Sequence, residues 1–361
     1  MSSIISMLPV TLAAAMLFLP AFTYAHAESA SDPAAPQPGL KVSGPFTHEK
    51  LAVYLIHGPS EQGPVPLTLS EALAKKLFVV HETGNVQALS LENLGEEAVF
   101  LQAGDIVKGG RQDRVLTTSV LVPGKSGRMP IGAYCVEQSR WAARGAENVA
   151  RFESSERYMP SRKAKAAMMA NPAPASTGAA GRPAQRVASG DRQQEVWASV
   201  AETQADLSAK LGAPVAAPAS ASSLQLSLEN EKLTAAKAAY LAALSPSEKN
   251  GADVIGFAFA IDGRINSADV YPSHGLFEKM WGKLIDAAAT EAIGDRGAGS
   301  VKPTPVPADV LAFLANAANA AAQEQKLDAN TVRVTRQNAA TVASETKRSD
   351  GRVLHKSYVA F

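Results

Sequence analysis

The sequence predicts an α+β fold, and three features carry that reading. Short segments rich in β-branched or aromatic residues recur between residues 51 and 137, each bounded by Gly, Pro, Asn or charged turns. From residue 191 onward apolar side chains fall at helical spacing instead. Val254 to Tyr271 then holds two apolar-rich runs joined by Asp262-Gly263, a pair that favours the positive φ of a tight hairpin turn. Many short strands followed by helices imply an N-terminal antiparallel β-sandwich or small barrel, with helices and β-hairpins after it.

In chain order, strands are expected at Leu51 to His57, Phe78 to Glu82, Val86 to Leu91, Ala98 to Leu101, Val115 to Val122 and Met129 to Glu137. Ser70 to Leu77 reads as a turn or two of helix capped by Ser70, with Leu73 and Leu77 on one face. Asp191 to Leu211 places Val196, Val200, Leu207 and Leu211 on one stripe. Leu226 to Leu244 repeats the pattern through Leu233, Ala236, Tyr240 and Leu244. After the Asp262-Gly263 hairpin, Ser273 caps a helix whose core face is Phe277, Met280, Trp281, Leu284, Ile285 and Ala288. A helix from Ala308 to Ala322 and a hairpin turning at Asp350-Gly351 complete the pattern.

The N-terminus sets the expected compartment. Residues 1–27 carry no Lys, Arg, Asp or Glu, are mostly apolar from Ile4 to Phe22, and end in Ala25-His26-Ala27. An apolar run before a small-x-small site reads as a secretory signal peptide cut after Ala27, which implies a periplasmic or secreted protein. Pro9, Pro20 and the Ala-x-Ala ending argue against an uncleaved anchor. The single cysteine, Cys135, is remote from that site, which excludes a lipoprotein, and it has no intramolecular disulfide partner. Residues 28–44, rich in Ala, Pro and Ser, read as a disordered leader, and Ala/Pro/Gly/Ser-rich stretches at 170–190 and 213–223 as mobile loops. These divide the chain into a β-rich part at 45–169, a helix at 191–212 and an α+β part at 224–361 packed on the rest. Lys+Arg 35 against Asp+Glu 34 gives a net charge of +1, so neither nucleic acid nor an anionic lipid surface is an expected partner, and no stable membrane insertion is expected after cleavage. Protein partners leave no mark in the sequence.

Chemistry-bearing residues concentrate between Gly104 and Trp141, where GDIVKGGRQDR is followed by CVEQSRW. The first segment is not a nucleotide-binding P-loop, which needs Gly-Lys and then Ser or Thr opening a helix; here Arg111 follows Gly109-Gly110 and a strand comes next. Two readings remain. In one, Gly109 and Gly110 offer backbone N–H groups to an anion while Lys108, Arg111, Gln112, Arg114, Arg140 and Trp141 complete a ligand site. In the other, the arginines pair with Asp105, Asp113 or Glu137 and hold the hairpin in register. Strand alternation puts Ile131, Ala133, Cys135 and Glu137 on one face, which makes Cys135 a small core residue and Glu137 a carboxylate in need of an arginine. Glu137, Asp105 and Asp113 are the catalytic candidates for paired-carboxylate hydrolysis. No His-x-His, HExxH or calcium-loop spacing is present, so no metal is expected, and no cofactor motif is found. On the middle helix Gln193, Gln194 and Trp197 either line a cleft or cap the core, and Asp269 with His274 belongs to the strand-to-helix turn.

The ordered set Leu91-Glu92-Asn93, Val99-Phe100-Leu101, Gly104-Asp105, GGRQDR at 109–114, Leu121-Val122-Pro123, CVEQSRW at 135–141 and Gln194 with Val196-Trp197 resembles the ARG and rhodanese-phosphatase-superfamily-associated protein domain family. The resemblance runs through the Gly263-Arg264 hairpin and the Phe277 to Trp281 helix, about residues 45 to 295. The family's name records an association with ADP-ribosylglycohydrolase-like and phosphatase-like proteins, and so implies nucleotide-derived or phosphorylated ligands. It carries no catalytic assignment. The signal peptide and the Ala/Pro-rich insertions set this chain apart, and export argues against a cytosolic nucleotide-linked role. The expected function is binding of a small anionic or polar ligand outside the cytoplasm; an envelope hydrolase of glycan or phosphoester and a non-catalytic structural or interaction module are the alternatives.

Overall fold

The computed structural model describes residues 39–144, 149–169, 184–244, 251–297 and 302–361, with backbone alone for Ser154 and residues 184–191. The expected signal peptide, most of the leader and most of the 170–190 stretch lie outside these residues. The fold is α+β with a β-rich N-terminal region. Its elements are β1 (Lys41–His48), β2 (Leu51–His57), β3 (Leu67–Thr68), α1 (Leu69–Ala74), β4 (Phe78–Glu82), β5 (Ala88–Asn93), β6 (Val99–Leu101), β7 (Asp105–Gly109), β8 (Arg114–Leu116), β9 (Val120–Val122), β10 (Gly127–Cys135) and β11 (Phe152–Tyr158). They continue with α2 (Arg162–Met169), α3 (Ala184–Leu211), α4 (Leu224–Leu228), α5 (Glu231–Leu244), β12 (Val254–Ile261), β13 (Arg264–Val270), α6 (His274–Gly294), α7 (Pro307–Ala318), β14 (Ala322–Lys326), β15 (Thr331–Gln337), β16 (Thr341–Arg348) and β17 (Val353–Ala360).

Three sheets organise the strands. An eight-stranded sheet runs β1-β2-β12-β13-β17-β16-β15-β14, a six-stranded sheet runs β11-β7-β8-β10-β5-β4, and a small one joins β3, β6 and β9. Strand β2, paired with β1 on one edge, therefore pairs on the other with β12 of the Asp262-Gly263 hairpin, Leu51 opposite Ile261 and Val53 opposite Phe259. Period-2 alternation explains why β2 and β12 are apolar on both faces: Leu51, Val53, Leu55, Phe257 and Phe259 meet α5 and α6, while Ala52, Tyr54, Ile56, Ala258 and Ala260 meet α7. Each fully buried large apolar side chain there contributes about 1.5–3 kcal/mol. The turn is as the dipeptide demands, with Asp262 at φ 48° and Gly263 at φ 71°. Ser273 caps α6 by accepting from Leu276 N, and the six expected core residues of that helix are buried.

Several boundaries differ for identifiable reasons. Strand β1 begins at Lys41, inside the expected leader, because its backbone pairs with β2 from Lys41 opposite His57. The strand expected over 115–122 is two, β8 and β9, which belong to different sheets. Thr68 rather than Ser70 caps α1, in a capping box with Glu71. The helix expected over 226–244 is broken into α4 and α5 by Asn230, whose Oδ1 accepts from Lys232 N at 3.0 Å and Leu233 N at 3.3 Å and starts a new helix. Helix α3 begins at Ala184, within the expected loop, and α7 stops at Ala318 because residues 322–326 join the sheet edge against β15. The stretch at 213–223 is ordered: Val215 is buried, Ala217 bridges Ser220, and Ser223 caps α4.

Candidate functional site

GDIVKGG is a strand and a turn, not a loop. In β7 Ile106 faces the helices α2 to α5 and Val107 faces the N-terminal core, so the motif is anchored through both sides. The turn that follows gives its backbone donors to the protein itself. Gly109 N donates to Asp113 Oδ1 at 2.9 Å and Gly110 N to Arg151 O at 3.3 Å. Both groups expected to face an anion are thereby satisfied internally.

The two following segments interlock by charge. Asp113 and Glu137 are fully buried. Arg140 Nε lies 2.6 Å from Glu137 Oε1 and its Nη2 3.7 Å from Asp113 Oδ1. Arg144 Nη1 donates to Asp113 Oδ2 at 3.0 Å and Glu137 Oε1 at 3.3 Å, and its Nη2 to Asp113 Oδ1 at 3.2 Å. Asp113 N donates to Glu137 Oε2 at 3.0 Å, and Ser223 Oγ to Asp113 Oδ2 at 2.8 Å. Burial pushes the Glu137 carboxyl up, but hydrogen bonds from Arg140, Ser220 and the Asp113 backbone, with the Arg140 charge, outweigh it and hold it below the usual range.

Around this pair the other expected residues divide. Arg114 is fully buried, donating to Gln112 O at 3.0 Å and Gln112 Oε1 at 3.3 Å, with Glu82 Oε2 at 3.5 Å. Gln112 donates in turn to Glu137 O at 2.8 Å. Cys135 Sγ donates to Gln112 Oε1 at 3.0 Å, and burial pushes its thiol up to about 11 despite the pull of Arg114, so it is a core thiol and not a nucleophile. Gln193 clamps that strand end, accepting from Cys135 N and donating to Cys135 O, each at 2.9 Å, whereas Gln194 is exposed and Trp197 half-buried. Lys108 reaches Glu229 at 2.9 Å. Asp105 lies apart from the other two carboxylates, accepting from Gln102 N and paired with Lys283 of α6. Of the expected ligand-site residues only Arg111 and Trp141 are exposed, the guanidinium 5.2 Å from the ring centroid of a tryptophan that is 43 % exposed.

Paired-carboxylate hydrolysis requires two carboxyls across an open gap. Asp113 and Glu137 are instead sealed against two arginines. Sequence reasoning missed Arg144, Ser223, Glu82 and Glu229, which reach the cluster only through space.

A cleft of about 250 Å³ lies elsewhere, between the start of α2, α3, the β12–β13 turn and the end of α6. Arg162, Asp206, Arg264, Asn266, Glu291 and Arg296 are among the residues lining it. Arg296 pairs with Asp206, while Arg264 makes no ion pair among the described residues. Asn266 is 6 % exposed, and its Oδ1 finds no hydrogen-bond partner among them; nor does the sealed Oε2 of Glu291. Glu291 Oε1 accepts from Arg162 N at 2.9 Å. Burial pushes the Glu291 carboxyl above the usual range, against the pull of Lys165, Asn266 and Arg162.

Neither a curated protein nor a solved structure matches the chain. A family does, over a longer span than the motifs alone suggest and including both ends of the eight-stranded sheet: by its match at residues 39–359, the chain belongs to the family of the ARG and Rhodanese-Phosphatase-superfamily-associated Protein domain, ARPP-1.

Proposed function

We propose that this ARPP-1 protein binds a small polar or anionic ligand, received in the cleft between α2, α3 and α6. The observation that carries the reading is Arg264 at the wall of that cleft, a cation with no ion pair among the described residues, beside the polar side chains of Arg162, Asn266 and Glu291. An unpaired guanidinium on a concave polar wall is open to an anionic group. Arg264 supplies a fork for a carboxylate or phosphate. A thermal-shift panel of sugar phosphates, nucleoside phosphates and small carboxylates tests it. At least one compound raises the melting temperature, and Arg264→Ala weakens that compound at least tenfold, about 1.4 kcal/mol, without lowering the unliganded melting temperature. A panel without a hit, or binding that survives both Arg264→Ala and Asn266→Ala, sinks the proposal.

For the Gly104 to Trp141 region the same reasoning favours the bracing role, because the burial of Asp113 and Glu137 leaves a ligand only Arg111 and Trp141 to touch. Export is part of the proposal and is supported by the composition of residues 1–27. N-terminal sequencing of the protein recovered from its native compartment is expected to begin at Glu28. A retained Met1 counts against it.

A further inference from the structure

Beneath α2, where the β8–β9 link, β16 and β17 converge, lies a small cavity of about 20 Å³. Its wall includes Lys165 from α2, Thr118 and Ser119, Ser344 from β16, and His355 and Ser357 from β17. A space of that size holds one water or one monatomic ion, since about 10–15 Å³ suffices for a water.

Lys165 is the anomaly at this site. It is 5 % exposed, and a buried ammonium needs a counter-charge. Its Nζ donates to Ser267 Oγ at 3.3 Å and lies 5.4 Å from the Phe259 ring centroid and 5.9 Å from that of Tyr158. Among the described residues no carboxylate comes within ion-pair distance, and one hydrogen bond leaves two of its three donors unused. The contrast is with Lys237, equally buried but 2.7 Å from Asp286, and with Lys283, which shares the Tyr158 ring but has Asp105. The two carboxyl groups in the neighbourhood are occupied elsewhere. Asp269 faces His355 Nε2 at 3.1 Å and Gln102 Nε2 at 3.4 Å. Glu291 feels the Lys165 charge but lies beyond ion-pair distance, and its Oε1 accepts from Arg162 N at 2.9 Å. His355 Nδ1 in turn lies 3.0 Å from Ser119 Oγ, so the imidazole is held between a carboxylate and a hydroxyl at the cavity wall.

We propose that this cavity is a binding site for one monovalent anion of chloride size, with Lys165 as its counter-charge. The ammonium excludes a metal cation, and the hydroxyls of Thr118, Ser344 and Ser357 are of the kind that donate to a halide. The bound ion links α2 to β16 and β17, which already pack against that helix. The residues lining this site are distinct from those lining the α2/α3/α6 cleft, and its test reads a salt rather than a compound panel.

The test uses the full chain melted in sodium chloride and in sodium gluconate at equal ionic strength. Chloride raises the melting temperature along a saturating curve, as a ligand bound only to the folded state must, and bromide substitutes for it. Lys165→Met abolishes the difference between the two salts. Equal melting of the wild type in both, or a chloride effect that persists in Lys165→Met, overturns the proposal. Should that variant fail to fold, wild-type crystals grown in bromide decide the matter: an anomalous peak in the cavity supports the anion, and a cavity without one overturns it.

Discussion

Asp113→Ala is expected to lower the melting temperature by about 6–10 °C, the result of losing roughly 3–5 kcal/mol. The size follows from what the side chain holds. Its two oxygens accept from Gly109 N, Ser223 Oγ and both terminal nitrogens of Arg144, and every one of those contacts is buried or nearly so. Alanine leaves a turn amide and a serine hydroxyl without that acceptor and takes a carboxylate away from Arg140 and Arg144, and uncompensated buried charge is the expensive part. Arg111→Ala is the control, because that residue is exposed, lies over the exposed Trp141 ring, and is expected to change stability by less than about 0.5 kcal/mol. A ligand site would give the reverse pattern, with Arg111→Ala costing affinity and Asp113→Ala little stability. The pH dependence has a fixed sign. The folded pKa of Glu137 is depressed, so its contribution is present above the unfolded carboxylate range and is lost as pH falls through the folded value. Acid melting curves of the wild type should therefore show a loss below about pH 4 that Glu137→Gln lacks. A Tm change under two degrees in Asp113→Ala would refute the bracing role.

Much of this fold is legible where local and global preferences agree. The runs 51–57, 78–82 and 254–261 coincide with β2, β4 and β12, because β-branched and aromatic residues there end at turns that permit nothing longer. The Ser273 cap and the face of α6 are legible for the same reason. Less visible is anything that depends on distant pairing. Strand β7 is hidden by its charges, since Asp105 and Lys108 read as loop residues until Lys283 and Glu229 are brought to them. Composition misleads at 213–223: Ala, Pro and Ser bury little surface of their own, but Val215 and Ser223 are fixed by α3 and β10. Within the cluster Cys135 and Glu137 are buried, as alternation expects, but so are Tyr134 and Val136 on the opposite face. The identity of the partners is a different kind of fact. Arg144 and Ser223 reach Asp113 from outside both motifs, and no spacing rule joins them to it.

Gly104→Ala is expected to be nearly as damaging, about 3–5 kcal/mol, and it bears on what the motif's glycines are for. Gly104 sits at φ 101°, a conformation L side chains rarely adopt, and an added Cβ would lie 2.5 Å from Tyr158 Cε2 and 2.6 Å from its Cζ. Neither side can yield cheaply. The glycine backbone is fixed on both ends, its N donating to Leu116 O at 2.8 Å and its O accepting from Met159 N at 2.9 Å. The ring is buried, its hydroxyl donating to Ala103 O at 2.9 Å and accepting from Gln102 Nε2 at 3.1 Å. Gly110 repeats the arrangement against Phe152, whose ring would lie 2.4 Å from a Cβ. Both glycines therefore make room for aromatic side chains of β11, and the backbone they expose is approached by protein. A double-mutant cycle with Tyr158→Leu separates strain from conformation: if the ring clash dominates, the pair should lose about 1–3 kcal/mol less than the sum of the single losses. Strictly additive losses would assign the cost to φ alone and leave the aromatic account without support.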